Sequence, residues 1–181
     1  MTDREKRLYT ELLLIRARQH DKKAFETLVK LWQEPLWRYA RRMTNCPETA
    51  WDVLQETWVT IIRRLDTLRD FNSFQKWAYR ILTSKCVDIV RRKKRESEAN
   101  KQYFNKSMAD GNRGAEHIET VKNTIEELVH EQRAVLLLRF YEKMSVKQIA
   151  AVLKVPEGTV KSRLHRALKE LKILLKGTDN G

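Results

Sequence analysis

"SVKQIAAVLKVPEGTVKSRLHRALKEL", residues 145–171, holds two helical patterns and the stop between them. Ser145 is followed three residues on by Gln148, the spacing at which the two ends of a first helical turn cap each other, and Ile149, Ala150 and Leu153 then share one face. This predicts a short helix over about 146–153. Pro156 disfavours helical geometry in the residue before it and is itself welcome in a first helical turn, so the chain is expected to turn at Lys154-Val155 and start a second helix. Two helices joined by so tight a turn make a helix-turn-helix. Gly158 is the only glycine between Ala115 and Lys176 and falls at the head of that second helix. A missing side chain there lets backbone approach either the first helix or a phosphate.

The charges of the second helix are unevenly placed. At 100° per residue, Val160, Leu164, Ala167, Leu168, Leu171, Leu174 and Leu175 fall in one apolar stripe that is expected to face a core. Ser162, His165, Arg166 and Lys169 lie opposite, with Lys161 and Arg163 on the flanks. A helix that reads a DNA groove needs this layout, because short or bidentate groups at the centre reach base edges while flanking cations meet phosphates. A solvated amphipathic helix has a similar stripe; the capped helix and proline turn before it favour DNA reading.

Composition agrees with a polyanionic partner. The 181 residues carry 37 Lys and Arg against 24 Asp and Glu, a formal charge of +13, and the 41% hydrophobic content suffices for compact cores. No apolar run approaches the ~20 residues of a spanning helix, and the N-terminal "MTDREKRLYT" has no apolar segment of the signal-peptide kind, so a cytoplasmic location is expected. Cys46 and Cys86 are too few and too far apart for a zinc knuckle or a redox pair and read as small core residues. The four histidines are scattered and no phosphate-cradling glycine loop or nucleophile-base pair is present, so neither catalysis, a metal nor another cofactor is expected.

Residues 1–110 contain no glycine and repeat apolar positions at helical spacing, so an all-α fold without strands is expected. The stretch 96–117, "ESEANKQYFNKSMADGNRGAEH", breaks the pattern with glycine, asparagine and serine and reads as a linker. This gives two small helical domains, 1–95 and 118–177, both basic.

Two further constellations lie in the first domain. Between Arg42 and Arg63 there is no cation, and "CPETAWDVLQETW" sets Glu48, Asp52 and Glu56 four apart, with Ala50, Leu54, Thr57, Trp58 and Ile61 on the other face. An unpaired acidic stripe repels nucleic acid and itself, which points to a docking surface for a basic protein partner. The second is "SFQKWAYRILTSKCVDIVRRKKR", residues 73–95. Phe74, Trp77, Ala78, Ile81, Leu82 and Ile89 are expected inside, while Lys76, Arg80, Thr83, Ser84 and Arg91 are expected outside, ending in five consecutive cations that suit a phosphate backbone. Tyr79 is also placed outside, where it stacks on an unpaired base or lies on its own helix surface.

These residues resemble the sigma factors of bacterial RNA polymerase, of the small extracytoplasmic-function type. "DVLQETW" is similar to the family's core-polymerase-binding segment, "SFQKWAYRILTSKCVDIVRRKKR" to its promoter-melting and minus-ten-reading helix, and "SVKQIAAVLKVPEGTVKSRLHRAL" to its minus-thirty-five-reading helix-turn-helix. The resemblance implies a role for Glu48, Asp52, Gln55 and Glu56 in docking on core polymerase. It implies that the loop "LDTLRDFNS", residues 65–73, captures a flipped minus-ten base, with Phe71, Asn72, Lys76, Tyr79, Arg80, Thr83, Ser84 and Arg91 on that DNA. It gives the minus-thirty-five contacts to Gly158, Thr159, Lys161, Ser162, Arg163, His165, Arg166 and Lys169. An anti-sigma factor is a further implied partner, and neither a membrane nor a small-molecule substrate is. Trp51 stands where the family usually carries an acid, Ser84 where it usually carries Asn, and Val129 and Lys143 where Pro and Gly are common. The competing function is a free-standing dimeric helix-turn-helix regulator, which would leave the acidic helix without a task.

Overall fold

The computed structural model describes residues 1–101 and 128–178; of the stretch read as the linker, only 96–101 is among them. The described residues are helical with no strand, as expected. They belong to two compact units, one of residues 1–86 with 151–153, the other of the remaining described residues.

In the first unit, α1 (Asp3–Arg18) opens with a capping box in which the Thr2 hydroxyl accepts from the Glu5 N–H at 3.2 Å and the Glu5 carboxylate accepts from the Thr2 N–H at 2.7 Å. The chain reverses through His20, held at φ 63, into α2 (Lys22–Thr44). Asp21 caps α2 by accepting from the Ala24 N–H at 3.0 Å and also binds Arg16 at 2.7 Å; those contacts, the backbone bond foremost, hold its carboxyl below the ordinary value. Asn45, at φ 57, ends α2, and Pro47 takes the first position of α3 (Pro47–Arg64), where its missing N–H costs nothing. Two 3₁₀ turns, Leu65–Thr67 and Phe71–Ser73, lead into α4 (Phe74–Lys101).

Leu14, Leu28, Leu36, Met43, Leu54, Ile61, Phe74 and Leu82 are completely buried in this unit. Each stabilises by about 1.5–3 kcal/mol relative to exposure. Its aromatics are joined edge to face, Trp32 with Phe74 at 5.5 Å and Tyr39 with Tyr79 at 5.3 Å. Their polar ends are satisfied inside: the Trp32 indole donates to the Thr10 hydroxyl at 3.0 Å, and the Tyr39 and Thr83 hydroxyls meet at 2.9 Å. The Thr83 hydroxyl donates to the Tyr79 carbonyl at 2.6 Å, which leaves Tyr39 as donor in that pair.

Three expectations are corrected here. The buried face of α4 runs through Phe74, Ala78, Tyr79, Leu82, Thr83 and Cys86, with Trp77, Ile81 and Ile89 only half-buried, so the core side is rotated toward residues taken as outward. An apolar tally misses this because a threonine with a satisfied hydroxyl and an edge-packed tyrosine pack as core. Helix α4 continues six residues into the stretch read as linker, to Lys101, since nothing between Glu96 and Lys101 breaks a helix. Cys86 is buried, and burial pushes its thiol pKa up, but Cys46 is half-buried at the head of α3, where its thiol faces the Glu48 carboxylate at 3.1 Å.

In the second unit, α5 (His130–Leu136) passes into a π-helical turn at Leu137–Tyr141. Lys143 follows at φ 52, then α6 (Val146–Leu153) and α7 (Glu157–Thr178). Helices α5 and α7 pack together through Leu128, Leu136 and Ala167, with Leu164 and Leu171 against them. Among the described side chains the stripe of α7, whose expected members Leu174 and Leu175 lie outside them, is narrower than expected, because Leu168 is 47% exposed. It lies about 80° around the helix from Val160, whereas Leu164, Ala167 and Leu171 lie within about 40°.

Candidate nucleic-acid interface

The helix-turn-helix is built by its caps. The Ser145 hydroxyl accepts from the Gln148 N–H at 3.2 Å, and the Gln148 side chain accepts from the Ser145 N–H at 2.8 Å. Helix α6 stops at Lys154, in the left-handed conformation at φ 54, ψ 46, with its own N–H on the Ala150 carbonyl. The Val155 N–H also reaches Ala150, at 3.2 Å, so two donors close the helix end before Pro156. The Pro156 carbonyl then accepts from the Thr159 and Val160 N–H groups, starting α7.

On α7, Val160 and Ala167 are buried and fix the rotation of the helix. Lys161, Ser162, His165, Arg166 and Lys169 are exposed together with Gly158, while Thr159 and Arg163 are half-buried. The Ser162 hydroxyl donates to the Thr159 carbonyl at 3.0 Å, so it faces a ligand as an acceptor. One expectation about Gly158 is corrected: a Cβ there would meet nothing within 4 Å, so no close approach to α6 requires the glycine. Only the phosphate alternative remains for it.

The second surface begins with the segment 65–73. Asp70 accepts from the Asn72 N–H at 3.0 Å and from the Ser73 hydroxyl at 2.7 Å, and the Ser73 bond is the main reason its carboxyl is held below the ordinary value. Asn72 is exposed and Phe71 half-buried. Of the residues expected on DNA along α4, Ser84 and Arg91 are exposed and Lys76 and Arg80 half-exposed. Tyr79 and Thr83 are buried, at 0% and 4% exposure, and are removed from the candidate surface; they hold the helix that presents the others.

Sequence reading missed Arg18, at the end of α1. Its Nη2 donates to the carbonyls of Leu65 at 3.1 Å and Asp66 at 3.3 Å and to that of Leu68, and its guanidinium lies over the Phe71 ring at 4.7 Å. The available signal was its position, beside buried Ala17 and four residues after buried Leu14, on the edge of the apolar face of α1.

The third surface is acidic. Glu48, Asp52, Gln55 and Glu56 are all exposed on α3, while Ala50, Leu54, Thr57 and Ile61 are buried and Trp58 is half-buried, as the wheel predicted. The stripe is not unpaired, however: Lys85 of α4 binds Glu56 at 3.0 Å and the Cys46 thiol meets Glu48. Exposed as it is, the Glu56 pair contributes at most about 1 kcal/mol. Trp51 lies beside Asp52, 42% exposed and 5.5 Å from Trp37. Among the described residues no group of three His, Cys, Asp or Glu side chains could hold a metal ion.

Two family models match this chain, "Sigma-70 region 2" over residues 28–96 and "Sigma-70, region 4" over residues 118–171, together well over half of it. Among curated relatives, the RNA polymerase sigma-H factor of Pseudomonas aeruginosa is 30% identical over 86% of this chain and 88% of its own. The RNA polymerase sigma-E factor of Streptomyces avermitilis is 32% identical over 86% and 87%. Among solved structures, CnrH in complex with the cytosolic domain of CnrY is similar at a TM-score of 0.70 and 27% identity, covering 93% of this chain and 98% of that one. The sigma factor RpoE of Bartonella quintana, in complex with the anti-sigma factor NepR, is similar at 0.69 and 25%, covering 85% and 98%.

Proposed function

The chain belongs to the sigma-70 family of RNA polymerase sigma factors, and from that premise we propose how its surfaces divide the work. As a sigma factor of the extracytoplasmic-function type it binds core RNA polymerase and directs transcription initiation at promoters. Helix α7 lies in the major groove of the minus-thirty-five element. Ser162, His165 and Arg166 meet base edges there, and Lys161, Arg163 and Lys169 meet phosphates, with Gly158 and Thr159 at the strand they approach. The segment 65–73 captures a minus-ten base, with Phe71 and Asn72 nearest to it and Lys76, Arg80, Ser84 and Arg91 along the backbone. Asp52, Gln55 and Glu56, with Glu48 at the end of the stripe, dock on a basic element of the polymerase.

The observation that carries this reading is the separation of charge onto two exposed helical faces, Glu48, Asp52 and Glu56 on α3 and cations around a polar centre on α7. A molecule that binds only DNA has no use for the first. The protein does no chemistry of its own and works in the cytoplasm, where the polymerase and its template are. CnrH and RpoE were each solved with another protein bound, and the second is an anti-sigma factor, so an inhibitor of that kind is proposed as a partner here too.

The double change Asp52→Arg and Glu56→Arg tests the polymerase contact. It is expected to abolish co-purification with core enzyme while the melting temperature moves by no more than the loss of one exposed ion pair allows, about 1 kcal/mol. Retained binding to core would overturn the assignment. Full-strength, sequence-specific DNA binding without any polymerase would instead favour a free-standing regulator.

A further inference from the structure

We infer that Arg18 is a positioning residue for base capture: it locks the segment 65–73 in its capture-ready shape and thereby sharpens selection of the minus-ten base. This rests on the reading of 65–73 as the capturing loop, and Arg18 itself lies before the residues that the region 2 family model matches.

The loop has a specific structural problem. Helix α3 runs out into the 3₁₀ turn Leu65–Thr67, and a helix end leaves carbonyls without intrahelical donors. Two carbonyls are closed locally, that of Arg64 by the Thr67 hydroxyl at 2.7 Å and that of Leu65 by the Leu68 N–H at 3.1 Å. Arg18 reaches this end from another helix, its Nη2 sharing two N–H groups among the Leu65, Asp66 and Leu68 carbonyls. Its Nε is buried and faces the Asp66 carboxylate at 3.9 Å, an ion-pair distance. The same guanidinium lies over the Phe71 ring, so one side chain spans both ends of the loop, the 3₁₀ turn that begins it and the 3₁₀ turn before α4. A planar fork that donates at its edge and stacks on its face can do both at once, and an ammonium cannot.

Arg18 is held in turn. Helix α1 packs against the Phe71–Ser73 turn, and the Arg16–Asp21 pair with the Asp21 cap fixes the corner just after Arg18. The loop's other internal ties are short-range, Asp70 to Asn72 and Ser73 at one end and the Thr67 hydroxyl to the Arg64 carbonyl at the other, while the buried Leu65 and Leu68 side chains anchor the turn; among the described residues only Arg18 links the two ends. Exposed Asn72 sits next to the stacked Phe71, so release of the guanidinium moves the residue nearest the captured base without touching DNA contacts on α4 or α7.

The test uses full-length protein assembled with core polymerase and a pool of short single-stranded DNA randomised in sequence, selected for binding and sequenced. Wild-type holoenzyme is expected to enrich one base strongly at one or more positions. Arg18→Met, which keeps the stem and removes the donors, is expected to cut that enrichment about tenfold, the factor to which one charge-assisted hydrogen bond corresponds, with core affinity unchanged. Arg18→Lys is expected to recover part of it through a single carbonyl contact. A role in stability alone would lower melting temperature and yield of holoenzyme without changing which base is chosen. Full discrimination in Arg18→Met, or loss of it in step with core binding, overturns the inference. Asn72→Ala separates the two levels. If it flattens the preference while Arg18→Met does not, only the role of Arg18 fails; if neither changes it, the capture reading fails and this inference with it.

Discussion

The two units of this molecule bury different chemistry. Among the aromatics of the first, a hydroxyl and an indole find partners inside, at Tyr39–Thr83 and Trp32–Thr10. The second relies on aliphatic contacts, Leu128, Leu136 and Ala167 with Leu164 and Leu171 around them. On α7 polarity sorts most of the described residues: Val160 and Ala167 are inside and Lys161, Ser162, His165, Arg166 and Lys169 outside, while Leu168 and Ile173 are exposed. In the first, polarity misleads, and two residues that looked suited to DNA turned out to hold the core. A face chosen by apolar count is therefore a better guide on α7, which packs through aliphatic contacts, than on α4, where hydroxyls are buried in pairs.

The largest test of this contrast removes packing from the aliphatic unit. Leu137 is completely buried, and Leu137→Ala is expected to cost about 2–5 kcal/mol, a large share of what so small a unit possesses. All five tryptophans lie in residues 32–77, so intrinsic tryptophan fluorescence reports the first unit alone. The expected outcome is helicity lost at lower temperature by circular dichroism with the fluorescence melt unmoved. A fluorescence melt that shifts equally would break the division into two units.

Thr83→Val addresses the polar pair. It removes the hydroxyl that accepts from Tyr39 inside the core, and a cost of about 1–3 kcal/mol is expected in the fluorescence melt, against less for Tyr39→Phe, where Thr83 keeps the Tyr79 carbonyl. If Thr83 served DNA instead, Thr83→Val would leave the melt alone and weaken promoter binding.

On the second unit the exposed face of α7 separates base reading from phosphate contact. Arg166→Ala is expected to lose about 1–3 kcal/mol at one base pair of the upstream element and to relax specificity there. Lys161→Ala is expected to weaken all sequences alike and to lower the salt slope by about one unit. Binding of a library of upstream elements at several salt concentrations distinguishes them, and a reversed pattern would show that centre and flank of the helix were misassigned.

The smallest expected effect is the most pointed. Since a Cβ on Gly158 meets nothing, Gly158→Ala is expected to raise stability slightly, by up to about 1 kcal/mol from helix propensity. A phosphate approached by that backbone would nevertheless make the variant bind DNA more weakly. Higher stability with unchanged DNA affinity would end the phosphate reading of the glycine.

Sequence alone determined what depends on neighbours a few residues apart. The Ser145–Gln148 cap, the turn before Pro156, the outward placement of Lys161, Ser162, His165 and Arg166, and the acidic face of α3 all follow from local spacing, because a helix fixes which side chains are adjacent. Tertiary structure decided which side of α4 is core, since that depends on whether a Thr83 hydroxyl meets a Tyr39 hydroxyl 44 residues away. It also decided that Arg18 closes the end of a helix about fifty residues downstream. An orphan carbonyl accepts from whatever donor the fold brings near, and no spacing in the chain announces which cation that is.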